Sequence, residues 1–453
     1  MKLPGMVKIS ALWDTLRTSY WFVPTLMAVA VVLLWLAVFA LDRMLGEELT
    51  RRLGWIYSGG PEGARELLAV VSGSMITVAG VTFSITIVAL TLASQQFGPF
   101  LLRNFMRDTG NQITLGTFIS TFIFCLLTLR IIRSTDGATF VPQLSVSVAL
   151  LLTLASLGVL IYFIHHVSAF IQASNIIAVV SLDLEAAIDR LFPDQLGRDA
   201  GEQPGLDSYR KELPKDFEAH SAQVTSPGYG YVKALDNDVL IETAVKNRLI
   251  VRMLKRPGDF VGGGDVIAVV WPGGSLNRDV EKAINESLML DVQRTATQDV
   301  EFVFNQIVEV AVRSLSPGIN DPFTAIICID HLGQGLRRMA ERTIPSPCRY
   351  GEDGALRVIA CPVTFPELAD VAFDQIRHYG RSSATVLNRL LETIGAIARN
   401  VSREEDRQAL LRHVSLIREA GTIGLEETVA RSEVEKQCLV ALNALKRPEN
   451  QRT

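Results

Sequence analysis

"SGSMITVAGVTFSITIVALTLASQQFGP" occupies residues 72–99 and contains no charged side chain. An α-helix needs about 20 apolar residues to cross a bilayer, so this run is long enough to be a span. It is nevertheless rich in Ser, Thr, Gly and Gln. On a helix, Ser74, Thr77, Val81, Ser84, Val88, Thr91 and Gln95 follow alternating spacings of three and four and form one stripe. Gly73 and Gly80 lie beside it, and Thr82 and Thr86 fall on another face. Two physical readings compete. Small polar residues let helices approach closely and hydrogen-bond across a contact, and Ser and Thr can also bond their own i−4 carbonyls. Alternatively the stripe meets water, and a ring of copies lines a pore with hydroxyl layers and valine constrictions that close by dewetting. A ring requires a homo-oligomer.

Three further uncharged stretches, near residues 20–41, 113–129 and 144–164, join the run at 67–92 to give four expected spans. They explain a mean hydropathy of +0.26 with only 20% charged residues in a chain of 453. The first stretch is longer than a signal-peptide core and no clear cleavage site follows, so it reads as an uncleaved span. Lys2, Lys8 and Arg17 precede it, and Arg103 and Arg107 follow the second span. The positive-inside rule then places both termini in the cytoplasm. Arg103 and Arg107 would stand at the cytoplasmic mouth of a pore, where a ring of arginines favours anions, although the topology rule alone also demands them. A net charge of −4 gives no reason to expect nucleic acid.

Residues 141–182 hold no Asp, Glu, Lys or Arg. The last helix is therefore expected to run on beyond the bilayer, giving a membrane domain of 1–182. His165 and His166 are adjacent and point apart on a helix, so they are expected to be interfacial and not joint metal ligands. Residues 183–220 read as a linker rich in charge, Pro and Gly. Residues 221–275 read as a small β module, with "NDVLIETAVKNR" as its one helix, capped by Asn237 or Asp238. "RPGDFVGGGDVIAVV" (256–270) resembles the barrel-sandwich hybrid of lipoyl, biotinyl and adaptor-protein domains. It lacks their lysine-bearing hairpin, which makes a swinging arm unexpected. Residues 276–453 show helical periodicity. One helix places Phe304, Val308, Ala311 and Leu315 on a face, and the next starts with Asp321 as N-cap and Pro322 at its first position.

The five cysteines are scattered without metal-ligand spacing, and no nucleophile elbow, zincin, P-loop or dinucleotide motif is present. The expectation is a protein without enzymatic activity, cofactor or metal. Arg294, Gln298, Asp299, Asn320 and Asp321 stand out around a helix and turn. They read either as a cluster that binds a ligand or couples the soluble part to the membrane, or as helix caps at a corner.

The stretches 72–118 and "RTATQDVEFVFNQIVEVAVRSLSPGINDPFTA" (294–325) resemble the hallmarks of a bacterial predicted-membrane-protein family, the domain of unknown function numbered 2254. The resemblance covers nearly the whole chain. It implies an inner-membrane protein with an N-terminal multi-span region and a cytoplasmic C-terminal part, and it supplies no activity or site residues. Taken together, the expectation is an oligomeric channel or pore-type transporter lined by the second span. The alternative is a non-conducting scaffold or sensor whose cytoplasmic part binds a partner protein.

Overall fold

The computed structural model describes residues 19–50, 57, 59–98, 108–135, 138–170, 172–192 and 212–446. The chain divides into two compact units, Met1–Asn175 and Ile176–Thr453. The first unit holds α1 (Phe22–Thr50), α2 (Pro61–Phe97), α3 (Thr109–Ile131), a short antiparallel hairpin of β1 (Arg133–Thr135) and β2 (Ala138–Phe140), and α4 (Gln143–Phe170). All four helices are long and apolar enough to cross a membrane.

The bundle is centred on α3, which packs against α1, α2 and α4. Half of its apolar window is buried, against 17% for α1 and α2. Phe124, Cys125, Leu68, Val31 and Val146 form the apolar core. The backbone groups at the open ends of a helix lack intrahelical partners, and here side chains supply several of them. Asp42 accepts hydrogen bonds from the backbone N–H groups of Leu144 and Ser145, both at 2.9 Å, and from the Ser145 hydroxyl at 2.5 Å. It thus caps the start of α4 from another helix. Arg65 donates to the Ile132 carbonyl at 2.8 Å and closes the end of α3. Asp108 caps the start of α3 through Gly110 and Asn111 and meets His166 Nε2 at 2.7 Å.

The apolar run 141–182 is not one helix: α4 ends at Phe170 and α5 (Ala173–Leu191) begins anew. The two halves differ in kind. Only α5 is amphipathic, with Ile176, Ile177, Val180, Leu184 and Ile188 buried. It continues past residue 182 through the charged side chains Asp183, Glu185, Asp189 and Arg190, a stretch expected to be linker. It is fastened to α9 (Pro322–Ala340) by Ser181 with His331 at 2.8 Å and by Asp189 with Arg338 and Arg342.

The second unit contains β3 (Ala222–Thr225), β4 (Gly230–Leu235), α6 (Asn237–Lys246), β5 (Ile250–Met253), β6 (Phe260–Val261), β7 (Val266–Trp271), α7 (Arg278–Ser287), β8 (Leu288–Asp291) and α8 (Val300–Ser314). After α9 come β9 (Cys348–Tyr350), β10 (Leu356–Ile359), α10 (Phe365–Tyr379), α11 (Ala384–Ile397), α12 (Glu404–Gly424) and α13 (Thr428–Leu445). The strands form two sheets, ordered β3-β7-β5-β10-β9 and β6-β4-β8. A boundary at residue 275 therefore cuts through both: β8 completes the sheet of β4, and β10 lies parallel to β5. Val224, Val251, Met253, Ile267, Val270 and Val358 bury the shared core. The cap of α6 is Asp236, one residue before the expected pair, accepting from Val239 N–H at 3.2 Å. Phe304, Val308 and Ala311 are buried on the expected face of α8, while Leu315 lies just past its end as the half-buried C-cap; on α9 Ile329, Leu332 and Leu336 are buried.

Asp42→Ala strands two backbone donors at the start of α4. Thermal unfolding of the purified chain in detergent is expected to reveal a loss of about 1–2 kcal/mol, and an unchanged midpoint would contradict the capping role.

Candidate functional site

The stripe on α2 can be placed residue by residue. Ser74, Thr77, Val81, Ser84, Val88, Thr91 and Gln95 are all exposed on the first unit, Val81 by 54% and Val88 by 58%. The opposite face carries Ala64, Leu68, Ser72, Ala79, Thr82, Ala89 and Ala93, all buried. Small alanines on that inner face let α2 approach α3 closely. Thr86 is half-buried and donates to the Thr82 carbonyl at 2.9 Å. On the outer face a Cβ added at Gly73 or Gly80 would meet nothing within 4 Å. α2 therefore presents an unobstructed groove of small residues along its outer side.

The hydroxyls of that face are not idle. Ser74 donates to the Val70 carbonyl at 2.8 Å, Thr77 to Gly73 at 2.8 Å, Ser84 to Gly80 at 2.9 Å and Thr91 to Ile87 at 2.9 Å. Each proton is satisfied within the helix, while the oxygen lone pairs stay available on the surface. Such a face tolerates either a close helix neighbour or a file of water. Arg103 and Arg107 lie outside the described residues.

The bundle interior holds a second polar column that the residue spacing also encodes. Thr114, Thr121 and Thr128 recur every seven residues on α3 and are all buried. Thr114 and Thr128 return their hydroxyls to carbonyls one turn back at 2.8 Å. Thr121 meets Ser156 of α4 at 2.9 Å, a side-chain bond across the helix contact. The stripe at 72–99 drew attention because it is longer. The α3 heptad was equally legible, and its burial identifies it as glue between helices.

In the second unit the polar residues expected to cluster separate into two corners. Asp299 and Asp321 cap α8 and α9. The 15 residues of α8 stand between them, a rise of about 22 Å. The first corner is a buried joint. Asp299, its side chain 2% exposed, accepts both Arg294 Nε at 2.8 Å and Nη2 at 3.0 Å, and also the Phe302 N–H at 2.9 Å. Gln298 reaches back to β4, accepting the Leu235 N–H at 3.0 Å. Glu301 stands between Arg294 at 3.6 Å and Arg256 at 3.4 Å. Arg256 also meets both carboxylate oxygens of Glu367 at 3.0 Å. Gly258 runs over this pair with φ +98°, where a Cβ would lie 2.5 Å from Asp299 Oδ2. Only glycine fits there, in conformation and in space. Burial acts to lower the Arg294 pKa, but the hydrogen bond and charge of Asp299 outweigh it and leave the guanidinium more firmly charged than usual.

The second corner is a helix cap. Asn320 has φ +51°, and Asp321 accepts from Phe323 N–H at 3.0 Å, Thr324 N–H at 3.2 Å and the Thr324 hydroxyl at 2.6 Å. The Thr324 hydroxyl bond, with the two N–H groups, holds the Asp321 carboxyl below the usual carboxylate range against the opposing effect of burial. A depressed carboxylate stabilises above its unfolded pKa of about 3.9 and loses that contribution as pH falls through the lower folded value. Among the described residues no group of three or more His, Cys, Asp or Glu is placed to hold a metal ion.

Four candidate spans, one carrying an outward polar stripe, joined to a mixed sheet-and-helix unit, define a helical membrane protein. Residues 17–396 match the family described as "Predicted membrane protein (DUF2254)". The chain belongs to that family. It is similar to an uncharacterized protein of Mycobacterium bovis and to one of Mycobacterium tuberculosis. Each is 31% identical over 443 residues, covering 97% of this chain and 83% of the relative. No solved structure matches it.

The two corners differ in what their acids hold. Asp299→Ala removes a buried cap and leaves the half-buried Arg294 with Glu301 as its remaining carboxylate, and is expected to cost about 2–3 kcal/mol. Asp321→Ala removes a cap alone, at about 1 kcal/mol. Unfolding midpoints of the two variants compare them directly, and equal losses would refute the distinction.

Proposed function

We propose that the protein is a homo-oligomeric channel or pore-type transporter of the bacterial inner membrane, passing ions or small solutes along a path lined by α2. The observation that carries this reading is the complete exposure of the seven stripe positions on a helix whose opposite face is packed away. A lone bundle would turn that polar stripe to lipid tails, which offer its oxygen lone pairs no partner. Copies arranged around an axis would turn it inward to water, with Val81 and Val88 as the narrow apolar layers. Both termini lie in the cytoplasm in this arrangement, as the basic residues before α1 require. The second unit, its two sheets serving as a barrel-sandwich-like scaffold, holds the ring together from the cytoplasmic side.

The intrahelical bonds of Ser74, Thr77, Ser84 and Thr91 favour a second reading, a non-conducting scaffold or sensor. Hydroxyls already satisfied need no water, so α2 can seat directly on a neighbouring copy in dry contact. The cytoplasmic unit would then recruit a partner protein.

Cysteine placed singly at Ser84 and Val88 separates the two. In liposomes, a water-soluble thiol reagent is expected to modify both positions and reduce ion or solute flux at least severalfold. Efficient disulfide cross-linking between copies, with no labelling and no flux, would replace the channel with the scaffold.

A further inference from the structure

Among the fully buried titratable groups that neither the α2 stripe nor the ion-paired joint uses is His413 on α12. Its side chain is fully buried. Nε2 lies 2.8 Å from Asp370 Oδ1 on α10, an oxygen that Arg412 also engages. Nδ1 has no hydrogen-bond partner and stands 3.9 Å from Asp374 Oδ1. Asp374 is held instead by Arg377 at 3.2 Å. The Phe373 ring meets the imidazole edge-on, with ring centroids 5.3 Å apart.

These contacts define the neutral imidazole. Nε2–H donates to Asp370, and the bare Nδ1 faces an apolar wall and an occupied carboxylate. The charged groups that face it are Asp370 and Asp374 from α10 and Arg412 from its own helix. α11 and α13 also pack on α12, and Leu387 and Val434 meet it at Gly421, about two turns beyond His413. A second proton on Nδ1 gains no hydrogen bond at 3.9 Å, and it places a charge on a ring that is itself fully buried although the carboxylates beside it are partly exposed.

We propose that His413 is a proton-operated latch: protonation loosens the seam between α10 and α12. Burial lowers the His413 pKa, against the opposing pull of Asp370 and Asp374. A histidine whose folded pKa is depressed favours the closed seam above its unfolded value of about 6.5, and that preference is lost as pH falls. The seam connects to the joint at Arg256. Glu367, Asp370 and Asp374 share one face of α10, spaced three and four residues apart, and Glu367 clamps Arg256 of the β5–β6 loop. Loosening α10 is therefore felt where the sheets meet the helices, and the latch does not depend on whether α2 conducts.

The test uses the full chain in lipid nanodiscs. Amide hydrogen exchange of residues 365–379, corrected for the intrinsic pH effect, is expected to show protection falling severalfold between pH 7.5 and 5.5. His413→Gln, which keeps a donor to Asp370 but cannot titrate, is expected to hold its protection throughout. Exchange at the imidazole carbon hydrogens of the unsubstituted protein reads His413 directly and is expected to place it below the ordinary imidazole value of about 6.5. A His413 that titrates at or above the ordinary imidazole value of about 6.5, or a His413→Gln chain that loosens like the parent, overturns the latch. Should the variant fail to fold, the imidazole titration alone decides.

Discussion

Inside a bilayer every backbone polar group must find its partner within the protein. The first unit is organised by that requirement. Helix interiors satisfy themselves, and their ends do not. Asp42, Arg65 and Asp108 supply what is missing, and the first two do so across helices, so capping also fixes which helices are neighbours. The same constraint explains why so many hydroxyls are tolerable. A Ser or Thr that donates to the carbonyl one turn back has already paired its proton, and the helix can then present that residue to lipid, to protein or to water. α3 exploits this inside the bundle at Thr114 and Thr128, while Thr121 pairs with Ser156 of α4.

The two faces of α2 follow from one need for close approach. Ala79, Ala89 and Ala93 let its inner face sit tightly against the bundle. On its outer side open space lies above Gly73 and Gly80, and the short hydroxyl residues alternate with exposed bulky ones such as Ile76, Phe83, Ile85, Ile87 and Leu92. A helix designed only to face lipid gains nothing from such a surface, since lipid tails fill bulky and shallow faces alike. A shallow, polar, uncharged stripe has a physical use only when something ordered lies against it.

The reading of residue patterns succeeded where one helix period decides the outcome. The stripe on α2, the buried faces of α8 and α9, and the Asp321–Pro322 start all lie where periodicity and capping place them. It failed where the answer depends on chain segments far apart. β8 and β10 are four residues each, too short to register against the surrounding helical pattern, yet they complete sheets begun 50 to 100 residues earlier. The unbroken apolar run at 141–182 concealed the division between α4 and α5, because burial in lipid and burial against protein use the same residues. Arg294 and Asp321 looked like neighbours because a sequence shows separation along the chain; the intervening helix turns that into length. Arg256 and Glu367, which tie the real joint together, carry no local signal at all, since their relation exists only in three dimensions.

That joint determines how the second unit behaves as a mechanical object. The β strands alone do not form a separable domain, because β9 and β10 come from beyond α9 and are paired into the same sheet. The helices are not separable either. Asp299 caps α8 while holding Arg294, Glu301 stands between two arginines, and Glu367 closes the capping box of α10 while holding Arg256. Each acid thus serves a helix terminus or its first turn and an ion pair at once, so a shift of either helix disturbs both. Only Asp299 in this joint is fully buried, while Arg294, Arg256 and Glu301 are half-buried and Glu367 is 44% exposed. A displacement of α10 is either absorbed within the seam it shares with α12 or passed intact to the sheets. This makes α10 the element through which events in the helical part can reach the β strands.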